Sequence, residues 1–163
     1  LPLRCSTGWL MMLEYFALPH CNHKPVRANP SDAGLDLKYN PTDIVHSVGI
    51  EPGQSVILPT GLKFGIPHGY MMQIMNRSGN AAKKQLVVGA CVVDSGYDGE
   101  VFVNLHNIGT TRQVVRAGDK IAQGVVVPVV PVRFVETSND NIYDWWPITI
   151  SARGDGALGS TGD

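Results

Sequence analysis

Five short stretches hold the residue types that can do chemistry. In AGLDL (33–37), Gly34 gives the chain a tight path into a strand and leaves the carboxylate of Asp36 beside it. An Asp in that setting serves a turn or a ligand. In NRSGN (76–80), Ser78 and Gly79 open a short helical piece with free backbone N–H groups, and Arg77 adds a guanidinium fork. That is the makeup of an anion site, or of a plain helix N-cap beside a solvated arginine. In GACVVDSGYDGE (89–100), two β runs flank Ser95 and Gly96, which predicts a hairpin with Asp94 and Tyr97 at its end. A carboxylate and an aromatic ring held there make a pocket wall, or else a turn former and a cross-strand packing residue. AGDKIAQ (117–123) reads as a turn at Gly118 and Asp119 running into a strand that carries Gln123.

The last stretch, RGDGALGSTGD (153–163), has almost no side chain to bury. Arg153 is a bidentate phosphate ligand by type, Ser160 and Thr161 bring hydroxyls, and Gly154, Gly156, Gly159 and Gly162 let backbone curl close to a ligand. The stretch suits wrapping a phosphate chain, though it lacks the lysine of a P-loop, and it equally suits a disordered tail. The letters RGD match an integrin ligand, and Asn76-Arg77-Ser78 matches a glycosylation acceptor. Nothing else in the chain points to a secreted protein, so both are set aside.

Something must hold these groups in place, and the composition favours strands. Gly 18 and Pro 11 in 163 residues suit short strands and turns better than helix interiors. Short apolar runs recur at 13–18, 36–40, 53–67, 69–77, 86–94, 100–107, 112–118 and 121–137, separated by Gly, Pro, Asn and Asp. The one helical piece is NAAKKQL (80–86). The expected fold is all-β, a sandwich, jelly roll or barrel, in one domain over 13–147. Residues 1–12 read as an N-terminal extension, and 148–163 as a flexible glycine-rich arm.

Charge excludes some functions. Charged residues make up 17% and the net charge is −1, against a broad nucleic-acid face, which needs clustered Lys and Arg. No run of about 18 apolar residues suggests a membrane span. Three cysteines without CxxC spacing suggest neither a zinc site nor a disulfide framework, and fit an intracellular, cytoplasmic or nuclear setting. His20, His23, His46, His68 and His106 are scattered, and no metal pair is read from them.

Taken in order, AGLDL, NRSG, GACVVDSGYDGE, GDKIAQ and RGDGALGSTG resemble the five motifs of the trimeric dUTP pyrophosphatase family, over residues 33–162. The resemblance implies a jelly-roll-type β-barrel assembled as a homotrimer, with a C-terminal arm closing a neighbouring subunit's site. It implies hydrolysis of dUTP to dUMP and pyrophosphate. Asp94 would be the general base that orients a water toward the α-phosphorus. Mg2+ would bind the three phosphates, with Asp36 holding it through water, as suits an ion that keeps its waters. Arg77, Ser78 and Gly79, Gln123 and Arg153 would grip phosphate oxygens. Backbone along Gly89, Ala90, Cys91 and Val92 would pair with the uracil edge and exclude a 5-methyl group. Tyr97 would pack on the deoxyribose and leave no room for a 2′-hydroxyl. Gly156, Leu158, Gly159, Ser160 and Thr161 would close over the nucleotide.

The chain departs from the family pattern in places. Ala157-Leu158-Gly159 stands where the family has Gly-Phe-Gly, so Leu158 covers the base without stacking on it. Cys91 replaces a Gly, Gly96 an acidic residue, and Asn76 a Pro. Trp145-Trp146-Pro147 is expected to anchor the root of the arm on a neighbouring subunit. Two rival readings remain. A dCTP deaminase of the same fold would need Glu where this chain has Asn104, and an amide cannot shuttle that proton. A non-catalytic trimeric binding module could lack Asp94, Tyr97 or Arg153, and all three are present.

Overall fold

The structure is a computed structural model and describes residues 4–5, 8–9, 11–42, 46–140 and 142–143. Two units make up the chain, Leu1–Val130 and Pro131–Asp163. In the described part of the second unit, 131–140 and 142–143, there is no strand or helix.

The first unit is built almost wholly from antiparallel strands. Its largest sheet has β4 (Leu35–Lys38), β13 (Lys120–Pro128), β8 (Tyr70–Met75) and β10 (Val92–Val93) side by side. A second sheet sets β11 (Phe102–Asn107) between β6 (Ser55–Pro59) and β9 (Leu86–Val88). Three pairs complete the set: β1 (Arg4–Cys5) with β2 (Gly8–Trp9), β3 (Glu14–Ala17) with β7 (Leu62–Gly65), and β5 (Ser47–Ile50) with β12 (Gln113–Arg116). The helix α1 is Ser78–Lys84, and it ends where Gln85 turns left-handed at φ 53. No helix among the described residues is long and apolar enough to cross a membrane.

Period-two alternation puts one face of each strand inside. On β11, Val103, Leu105 and Asn107 are buried while Phe102, Asn104 and His106 point outward. The inward sets meet as one core of Leu35, Leu37, Ile50, Leu58, Leu62, Phe64, Met72, Ile74, Leu105, Val115 and Ile121 with their neighbours. Two buried polar side chains are fully engaged, as burial requires. Thr60 Oγ1 donates to Val101 O at 2.6 Å. Asn107 Nδ2 donates to Ile50 O and Thr111 O, each at 2.8 Å, and its Oδ1 accepts from Gly109 N at 2.9 Å.

The all-β expectation matches this architecture, with three differences. The strands β1, β2 and β5 are absent from the sequence reading; the first two span two residues each, and SVGI is short and offers little alternation. The run expected over 121–137 ends as a strand at Pro128, where proline removes a ladder donor. And the expected hairpin about Ser95 and Gly96 is a turn whose flanking strands lie in different sheets. Tyr97 N donates to Asp94 O at 3.3 Å and Gly96 has φ 84, so the turn itself is real. But β10 pairs with β8, whereas β11 pairs with β6 and β9. The chain leaves β9 at Gly89, crosses to the large sheet, turns, and returns to β11.

Candidate active site

The largest sheet brings three of the five stretches together at one end. Register sets Gln123 on β13 opposite Asp36 on β4 and opposite Met75 on β8. Two residues past Met75 comes Arg77, in extended conformation at the N-cap of α1. Asp36 is buried, with its carboxylate paired to Arg77 through Oδ1. Lys120 Nζ lies 2.7 Å from Asp36 Oδ2. That is an ion-pair distance, yet Oδ2 has no aligned hydrogen bond and so keeps acceptor capacity in a buried position. Lys120 belongs to the GDKIAQ stretch, and sequence reasoning gave it no role.

Neighbouring amides lock this end. Gln123 Nε2 donates to Asn76 O at 2.9 Å. Asn80 Nδ2 donates to Lys120 O at 3.0 Å, tying α1 to the start of β13. Ser78 and Gly79 are exposed at the first turn of α1. Gly34 has its place here for a packing reason: the Gln123 side chain fills the space a Cβ would take, with Cδ only 2.9 Å from that point. Its φ is not in the left-handed region, so lack of a side chain, and not backbone freedom, makes it fit.

A second group forms on the crossing segment. A cavity of about 230 Å³ is lined by Val92, Val93, Asp94, Tyr97, Glu100, Val101 and Phe102. Tyr97 is half exposed, and its hydroxyl donates to Glu100 O at 2.9 Å, which fixes the ring. Of the two carboxylates here, Glu100 accepts the Gly61 N–H at 2.7 Å through Oε1, while Asp94 is exposed. A larger hollow of about 400 Å³ lies beyond Tyr97, lined by Glu14, Tyr15, Phe16, Lys63 and Asp98 among others, and it lacks Asp94. The smaller cavity is therefore the better candidate. Gly89, Ala90, Cys91 and Val92 are all exposed. Their backbone is held by Gly89 N to Asn104 O at 2.9 Å and by Ile74 N to Cys91 O at 2.7 Å, and just before them Val88 N donates to Asn76 Oδ1 at 2.7 Å.

The two groups do not meet within one chain. Val92 faces Gln73 and Val93 faces Met72, so Asp94 comes level with Met71. Arg77 is six positions further along, roughly 20 Å at the rise of a strand. Arg153, Gly156, Leu158, Gly159, Ser160 and Thr161 lie outside the described residues, as do Trp145 to Pro147. Among the described residues there is no cluster of three or more His, Cys, Asp or Glu side chains able to hold a metal unaided. The Asp36 carboxylate, already paired to Arg77 and Lys120, fits at most a contact to the water shell of a cation held mainly by something else, such as phosphates.

An antiparallel jelly-roll-type unit with a cation-lined end and a small nucleoside-sized cavity is the frame of a nucleotide-binding protein. The family model for dUTPase matches residues 22–162. The deoxyuridine 5′-triphosphate nucleotidohydrolase of Gloeobacter violaceus is 42% identical over 149 residues, covering 89% of this chain and 92% of that protein. The one from Chlamydia muridarum is 39% identical over 141 residues, covering 85% and 90%. The chain belongs to the dUTPase family. In fold it is similar to a mutant dUTPase of Staphylococcus bacteriophage 80alpha solved with dUpNHpp, at TM-score 0.77 and 23% identity, over 93% of this chain and 99% of that one. A mutant dUTPase from phage phi11 of S. aureus, described with a structural Mg(II) ion, matches at TM-score 0.70 over 80% of this chain.

Proposed function

We propose that the protein hydrolyses dUTP to dUMP and pyrophosphate, which keeps uracil out of DNA and supplies dUMP for thymidylate synthesis. The observation that carries this is the pairing of Asp94 with Tyr97 on one small cavity, beside exposed backbone from Gly89 to Val92. Close relatives named deoxyuridine 5′-triphosphate nucleotidohydrolase support the substrate. In the reaction, Asp94 accepts a proton from a water as the water oxygen attacks the α-phosphorus. The bond from that phosphorus to the bridging oxygen breaks, and pyrophosphate leaves. Tyr97, fixed by its hydroxyl bond, stands against the sugar and excludes a 2′-hydroxyl.

Arg77, Ser78, Gly79 and Gln123 bind phosphate oxygens, and Arg153 with the arm residues Gly156, Leu158, Gly159, Ser160 and Thr161 completes the enclosure. Asp36 orients Arg77 and Lys120 through its two ion pairs. A second lone pair on Oδ2, beside the Lys120 contact, would suit a water on Mg2+, which when bound would offset phosphate charge and ease departure of pyrophosphate. Because β8 keeps Asp94 and Arg77 far apart, a full centre takes these groups from different copies, which supports a homotrimer with shared sites. The free thiols of Cys21 and Cys91 fit a reducing intracellular compartment.

The test is pyrophosphate release with Mg2+ from dUTP, dTTP, dCTP and UTP, for the parent and Asp94→Asn. Release from dUTP alone, reduced about 10²–10⁴-fold in the variant, is the expected result. Ammonia from dCTP would move the protein to the deaminase branch. No turnover at all would favour a binding module.

A further inference from the structure

We infer that His106 and Asn104 are positioning residues for base recognition: together they hold the point where the chain departs for the segment Gly89–Val92. The inference rests on the dUTPase reading of that segment. Both side chains point outward from β11, beside residues with Phe102 and Ile57 exposed on the same sheet. His106 faces Val87 and Leu105 faces Val88, the last rungs of the pairing with β9. One more backbone bond follows, Gly89 N to Asn104 O at 2.9 Å, before the chain crosses to β8.

At this departure point the side chains close on the backbone. His106 Nε2–H donates to Asn104 Oδ1 at 2.8 Å, and Asn104 Nδ2 donates to Val56 O at 3.3 Å, anchoring the pair to β6. A Cβ built on Gly89 would overlap Asn104 Oδ1 and His106 Nε2, and would come within 2.8 Å of His106 Cδ2. Gly89 has no side chain of its own to fix its path, so the imidazole and the amide supply the wall it leans on. Shifting that wall shifts the backbone groups of Ala90 and Cys91 that face the base edge. Sequence reasoning saw Asn104 only as a missing Glu and His106 as one scattered histidine; the strand period places them side by side.

The test uses the full chain with four substitutions: His106→Ala, His106→Gln, His106→Phe and Asn104→Ser. Each is assayed for kcat and KM on dUTP and dCTP, melting temperature, and amide hydrogen exchange over 88–93. Loss of one positioning hydrogen bond is expected to raise KM for dUTP about three- to tenfold in His106→Ala and Asn104→Ser. Their kcat stays within about twofold, discrimination against dCTP falls, and exchange at Gly89 to Cys91 speeds up. Gln, which keeps a donor, restores KM; Phe, which keeps only bulk, does not. Unchanged KM and discrimination in the folded variants overturns the inference, as does rescue by Phe equal to that by Gln. If the parent itself hydrolyses no dUTP, the enzymatic reading fails and the positioning role falls with it; an active parent matched by its variants sinks the positioning role alone.

Discussion

The side chain of Gln123 occupies the space that a side chain on Gly34 would need. Gly34 directly precedes β4, which is paired to β13 from Leu35 onward, so little backbone movement is available to relieve the conflict. Gly34→Ala is expected to push Gln123 off Asn76 O and to destabilise the fold by about 1–3 kcal/mol. Urea unfolding measures the loss, and KM for dUTP should rise in parallel. An alanine variant as stable as the parent would mean the sheet opens there freely.

The proposed sharing of sites between copies has a direct consequence in mixtures. Arg77→Ala and Asp94→Asn should each be nearly inactive alone. After unfolding and refolding together, a fraction of centres draws an intact Asp94 and an intact Arg77 from different copies. Activity should then reappear, well above the sum of the two variants. A mixture no more active than its parts would place both residues of a centre on one chain.

Asn107 is buried, with three hydrogen bonds to backbone around β5 and the turn after β11. Asn107→Leu keeps the volume but leaves the buried Ile50 O without its partner and removes the part-buried bonds to Thr111 O and Gly109 N. The expected cost is about 3 kcal/mol or more, read as a lowered urea midpoint. Activity per folded molecule should stay close to the parent's.

His23 gives the fold a pH dependence of known sign. Burial first, and the charge of Lys38 second, lower its pKa from 6.5. The folded state thus prefers neutral imidazole, and the unfolded chain binds more protons. This contribution is present above pH 6.5 and is lost as pH falls through the folded value. Urea midpoints at about pH 7.5 and about pH 5.5 should drop less in His23→Gln than in the parent. Equal drops would assign the acid sensitivity to other groups.

The sequence was most informative where residue type and strand period agreed. The apolar run at 100–107 located β11, and the Gly, Pro and Asp punctuation bounded most strands. Asp36, Arg77 and Gln123 were legible as separate stretches, and register brings them to one sheet end. Pairing between distant segments was not legible. Nothing local in VVDSGYDGEV says that its two arms join different sheets, because strand partners are chosen by the core and not by the turn. The roles of Lys120 and His106 stayed hidden for the same reason: each depends on a neighbour more than ten positions away in sequence, Asp36 and Gly89.

The strand β8 acts as a spacer bar with a fitting at each end. Gln73 and Ile74 lie between those fittings, and in an assembly with shared sites each fitting serves a different catalytic centre. A change in the bar's length or tilt, such as a one-residue bulge near Gln73, would therefore misalign two centres through one chain. In the proposed homotrimer this plain stretch of sheet would carry a tolerance set by the geometry of the whole assembly.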